Sequence, residues 1–162
     1  MHALSIAAIL VTATLILQSI GMALLISWGR TRFPHVKRIG RVRGTLLMLR
    51  ITGMLLVLHV LEILLWSGFY RWRCFQSWES AFYFSAASYS TVGYGDLVLP
   101  ARWRILGPLE SITGVLMCGL SASFLFAAVT RLVQHEEQYE IDSGELHSTM
   151  GEPPRSGIFR GD

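Results

Sequence analysis

The residues best suited to chemistry are Thr91-Val92-Gly93-Tyr94-Gly95, followed by Asp96. The chemistry they suggest belongs to the backbone. Two glycines spaced by one residue allow backbone angles that other residues reach only at a cost. Such angles let several successive carbonyl groups face a common axis. A row of carbonyl oxygens can replace the lost water of a dehydrated cation along a path several sites long. Thr91 adds a hydroxyl at the inner end of the row. Val92 and Tyr94 point away from the axis, where they can pack against a scaffold. Five residues alone could equally make a hairpin turn around Gly-Tyr-Gly, so the surrounding elements have to decide.

Those elements read as membrane helices. Of 162 residues, 52% are hydrophobic and only 15% are charged, against roughly 25% charged in an ordinary soluble domain. The charges avoid three stretches. Leu4 to Ser27 has none, Ile51 to Tyr70 has only Glu62, and Ile105 to Thr130 has only Glu110. Each reaches the roughly 20 residues that cross a bilayer as a helix. They are apolar nearly all round, which excludes a soluble amphipathic bundle. The first stretch lacks the basic start and small-residue cleavage site of a signal peptide, and arginines follow it, so a spanning helix is expected. Between the second and third spans, Trp78 to Ser90 is an apolar run of 13 residues, too short to span but suited to a re-entrant helix. Ser77 can cap it, and Glu79 suits the positive end of its dipole. This helix leads straight into Thr91. Leu99-Pro100 then turns the chain, and the third span follows, rich in small residues from Gly114 to Ala128 that allow close helix packing. Irregular backbone at membrane depth is tolerated when it is buried in protein or lines a wet pore, and the 91–96 segment sits where that condition is met.

Charge distribution sets the expected topology. Seven of the 14 Lys and Arg (Arg30, Arg32, Lys37, Arg38, Arg41, Arg43 and Arg50) lie at the connection between the first two spans. Short basic loops stay cytoplasmic. The N-terminus is therefore expected outside and the C-terminus inside, in a multi-pass protein of the cell membrane. The basic loop reads as a topology signal with lipid contact, and no nucleic acid is expected as a partner. Trp66, Trp72, Trp78 and Trp103 read as an outer aromatic belt and Trp28 as an inner one. Cys74 and Cys118 are too far apart to pair. After Arg131 the chain turns acidic, then rich in Gly, Pro and Ser, and is expected to be mostly disordered. No paired carboxylates, metal cluster or nucleophile–base set is visible, so neither an enzyme nor a cofactor is expected.

The order span, re-entrant helix, glycine loop, span resembles the potassium-channel pore family. Ala81 to Pro100 resembles a family pore helix and selectivity filter. His59-x-x-Glu62, Tyr83-Phe84-Ser85, Trp103-Arg104 and Glu110-x-x-x-Gly114 resemble small prokaryotic members. The resemblance covers roughly Leu46 to Leu132, more than half the chain. It implies an all-α membrane protein with three transmembrane helices, a re-entrant pore helix and a filter, assembled as a homotetramer that conducts potassium passively. The implied ion ligands are the carbonyls of Thr91, Val92, Gly93 and Tyr94, with Gly95 completing the filter. Asp96, Glu62, His59, Tyr83, Phe84 and Tyr89 are the implied support. For Glu62 the candidate partners are His59, one turn earlier, then Ser85, Ser88, Tyr89 and the backbone amides behind the filter. Gly114 is a hinge or a close-packing glycine, and Phe126 narrows the inner mouth or simply packs. Glu110, after Pro108, reads as a complement to the helix dipole.

The expected organisation is an extra helix over 1–28, a basic cytoplasmic loop over 29–45, the pore module over 46–131 and a cytoplasmic tail over 132–162. Departures from the family pattern narrow the reading. The first span has no arginine ladder, so it is not a usual voltage sensor. The two-helix bacterial channels often carry a pore-helix glutamate near the filter aspartate. The matching position here is about Ala87, so Asp96 must be held in another way. The rival readings are a less selective cation channel, whose filter usually loses the tyrosine kept here, and a non-conducting subunit with a vestigial pore.

Overall fold

The structure, a computed structural model, describes the backbone of residues 2–32 and 41–150 and the side chains of 2–29, 42 and 44–130. The described residues form helices and connections only: α1 (His2–Arg32), α2 (Arg41–Arg73), α3 (Trp78–Tyr89), a short 3₁₀ turn (Ala101–Trp103) and α4 (Leu106–Met150). The stretches His2–Gly29, Gly44–Arg73 and Ala101–Thr130 are long and apolar enough to cross a membrane.

The short helix α3 starts where its sequence signals place it. Ser77 has extended backbone angles, and its hydroxyl accepts from the Ser80 amide. Glu79 lies in the first turn. At the other end the Ser90 amide bonds back to Ala86 O at 3.0 Å. The helix is 12 residues long, about 18 Å at 1.5 Å per residue, roughly half a bilayer.

The core sits at the end of the bundle where α3 begins. Ala7 and Leu10 of α1, Trp66 and Tyr70 of α2, Ala81 of α3, and Leu99, Trp103 and Leu106 pack there as one buried cluster. Edge-on ring contacts join its sides, Tyr70 to Phe84 at 5.1 Å and Phe69 to Trp103 at 5.3 Å between centroids. Aromatic residues suit this position because the wedge between a half-length helix and two full-length ones needs bulk.

Helix α1 packs into the same bundle as α2 and α4. Trp66 Nε1 donates to Thr14 Oγ1 at 3.0 Å, and Gln18 Nε2 donates to Ser121 Oγ of α4 at 3.0 Å. In an apolar surround, buried polar side chains are held by such bonds.

The expected disordered tail requires correction over residues 132–150, because α4 runs on to Met150 as a 45-residue helix. No proline lies between Pro108 and Pro153, and the acidic stretch contains good helix formers such as Glu, Gln and Leu. The rest of the predicted tail, 151–162, and positions 33–40 of the predicted basic loop lie outside the described residues.

Candidate functional site

The loop that follows α3 has a backbone unlike that of any other described segment. Thr91, Gly93 and Gly95 have φ of 60°, 52° and 79°, the only positive values among the described residues, while Val92 and Tyr94 between them do not. Left-handed angles thus alternate with ordinary ones. Glycine takes such angles at little cost. For Thr91, a β-branched residue, they represent strain of about 1–3 kcal/mol. The sequence pointed to Gly93 and Gly95; nothing in it marked Thr91 as the third such position.

Hydrogen bonds then fix which way the loop faces. The Gly93 amide donates to Ala87 O and the Thr91 amide to Ser88 O, both at 3.0 Å. In a trans peptide the carbonyl points opposite to the amide hydrogen of the next residue. The Val92 carbonyl is therefore directed away from α3. So is that of Ser90. The end of α3 holds the loop by its donors and leaves acceptors on the far side, which is the arrangement a cation needs.

Asp96 is held from α3 by Tyr83, whose hydroxyl donates to Oδ2 at 2.8 Å. This supplies the brace that Ala87 cannot. The Tyr83 ring also stacks on Tyr94, with centroids 6.3 Å apart and planes 12° apart. The other two aromatic residues of the implied support lie elsewhere. Phe84 packs against Tyr70 and Phe75 in the core. Tyr89 turns its hydroxyl toward α2.

There Tyr89 donates a short hydrogen bond to Glu62 Oε2. His59 Nδ1 lies 2.8 Å from the Tyr89 hydroxyl and 3.3 Å from the same carboxylate oxygen. Glu62 is fully buried, and its Oε1 has no partner among the described residues. It faces the protein at the level where α3 ends.

Glu110 requires a correction. It is fully buried and does more than complement the dipole of α4. Tyr70 Oη donates to its Oε2 at 2.8 Å, and Ser85 Oγ lies 2.5 Å from its Oε1. The same Ser85 hydroxyl is 3.0 Å from Ile63 O of α2. One carboxylate thus joins α2, α3 and α4 behind the loop. The available signal was the one that singled out Glu62, a lone charge inside an apolar span.

Gly114 lies where α4 crosses the end of α3, and a Cβ there would overlap the Tyr89 carbonyl oxygen. Its small size is what lets the two helices meet. Phe126 is 74% exposed. Cys74 is half-buried and Cys118 exposed, both as free thiols; burial pushes the Cys74 thiol up from its ordinary value.

A family model described as an ion channel matches residues 45–131. No match was found among curated proteins or among solved structures.

Proposed function

The chain belongs to the ion channel family, whose model covers residues 45–131, and from that premise we propose that it is one subunit of a homotetrameric, potassium-selective channel. Family membership and the three spanning helices make it a multi-pass membrane protein with ion channel function. Potassium selectivity is our reading of the 91–96 loop. The observation that carries it is the alternation of φ at Thr91, Gly93 and Gly95 together with amides bonded back to α3. Carbonyls of Thr91, Val92, Gly93 and Tyr94 would then replace the water of potassium as it passes down its gradient.

One such loop supplies only one side of a ring, and closed rotational symmetry supplies the rest. Val92 and Tyr94 are 53% and 72% exposed in the single chain, which suits side chains that pack against a neighbouring copy. Native mass measurement in mild detergent should give four chains per particle. A monomer or dimer would contradict the assembly.

The basic connection between α1 and α2 supports a cytoplasmic position for that end, with the 91–96 loop and Cys74 outside. A membrane-impermeant maleimide should therefore label Cys74 on intact cells, faster in alkaline medium because burial raises the thiol. Cys118 complicates the readout, so the measurement uses Cys118→Ala. Labelling only after lysis would reverse the topology.

A further inference from the structure

Gly21 of α1 crosses against Leu58 of α2, and a Cβ there would come within 2.6 Å of the Leu58 methyl groups. Beyond this crossing, toward the end away from the filter, the helices leave a crevice between them. It has a volume of about 500 Å³ and is lined by Leu24, Leu25, Trp28, Met54, Val57 and Leu61 among others. It adjoins a second hollow of about 480 Å³ that shares Trp28, Met54 and Val57 and is edged by Gly53 and Arg50. Such apolar walls do not hold ordered water. The space is open along its side, with room for a hydrocarbon chain.

Arg50 gives the crevice a chemical identity. It lies near the start of the stretch Gly44–Arg73, beside the basic connection, and is exposed. Among the described residues it has no hydrogen-bond or ion-pair partner. The two carboxylates of the spans are already engaged and fully buried, Glu62 by Tyr89 and His59, Glu110 by Tyr70 and Ser85. A cation at the edge of an apolar span gains from an anionic counter-charge at the interface. The same end of the bundle carries Arg30, Arg32, Arg41 and Arg43 in sequence, and clustered basic residues beside a span attract anionic headgroups. Trp28 sits where an interfacial ring is favoured.

We propose that this crevice binds one anionic phospholipid, with an acyl chain between α1 and α2 and the phosphate against the Arg50 guanidinium. The site gives α1 a function of its own, because neither α1 nor α2 alone forms it. It depends on membrane embedding and not on which ion is conducted, so its failure leaves the filter reading intact.

The test uses the full chain in phosphatidylcholine vesicles doped with lipids carrying dibrominated chains, which quench nearby tryptophan fluorescence. Subtracting the signal of Trp28→Phe isolates quenching at the crevice. Brominated phosphatidylglycerol should half-quench Trp28 at a mole fraction about fivefold lower than brominated phosphatidylcholine, the ratio that about 1 kcal/mol per basic residue provides. Arg50→Gln should erase that ratio. Gly53→Phe, at a position where an added Cβ meets nothing within 4 Å, should fill the hollow and reduce quenching by both lipids. Equal potency of the two lipids on the wild-type chain would overturn the proposal. So would a preference that survives Arg50→Gln, as when the arginine pairs with an acidic residue of another copy. Absence of Trp28 quenching by either lipid would also overturn it and would indicate that a second copy covers the crevice. The wild-type comparison decides the matter even if a variant fails to fold.

Discussion

Gly93→Ala is expected to lower the potassium-to-sodium permeability ratio by at least about tenfold, the change that about 1.4 kcal/mol produces. The reason is conformational. Gly93 has φ of 52°, and nothing lies within 4 Å of the Cβ that alanine would add. The added methyl group therefore collides with no neighbour in the protomer. What it opposes is the backbone angle, by roughly 1–2 kcal/mol per residue. In a homotetramer the strain occurs four times around one ring. It is relieved by rotating the peptide that joins Val92 to Gly93, which breaks the Gly93 amide bond to Ala87 O and swings the Val92 carbonyl off its direction. Gly68→Ala is the matched control, since Gly68 lies in α2 with open space around it and no positive φ. It should leave selectivity unchanged. Permeability ratios measured on both variants check the claim; normal selectivity in Gly93→Ala would contradict the assignment of the filter.

The second large effect is expected at the buried carboxylates. Glu110→Ala removes the shared acceptor of Tyr70 and Ser85. Tyr70 is fully buried, so its hydroxyl loses its partner with no water to replace it, at about 1–3 kcal/mol. The cavity left behind adds to that loss. Together these should lower the unfolding midpoint by roughly 10 °C in a chain of this size. Glu110→Gln keeps an acceptor and a similar volume, and should lose less than half as much. Glu62→Ala frees the Tyr89 hydroxyl at the end of α3 from which the filter amides hang. Its expected signature is faster decay of current on top of reduced stability, with Glu62→Gln again milder. Wild-type melting and wild-type currents in both alanine variants would show that these carboxylates do not brace the pore helix.

These two sites also mark how far the sequence could be read. The spans were legible because charge is expensive in a bilayer, so its absence over long stretches carries information. The start of α3 was legible because Ser77 and Glu79 are local signals, and the need for glycine at 93 and 95 follows from backbone sterics. The partners of Glu110 were not legible. Ser85 lies 25 residues away and Tyr70 lies 40, and only packing brings them together. A dipole explanation beside Pro108 was locally sufficient and therefore concealed the tertiary one. The Tyr83 brace on Asp96 spans 13 residues across the 91–96 loop, so the sequence could show that a brace was needed without showing which residue supplied it. Phe84 and Tyr83 are adjacent aromatics on one helix, and their different roles depend on which side meets α2 and which meets the loop. The continuation of α4 to Met150 is hidden by the acidic composition, which resembles that of a disordered tail although it contains good helix formers and no proline before Pro153.

The central claim is that the loop selects potassium. Its most direct test is the reversal potential of single channels in a planar bilayer with potassium chloride on one side and sodium chloride on the other. Currents should reverse far from zero, on the side that marks potassium as the permeant ion, and sodium current should be undetectable. A reversal potential at zero, with both ions carrying current, would contradict the account.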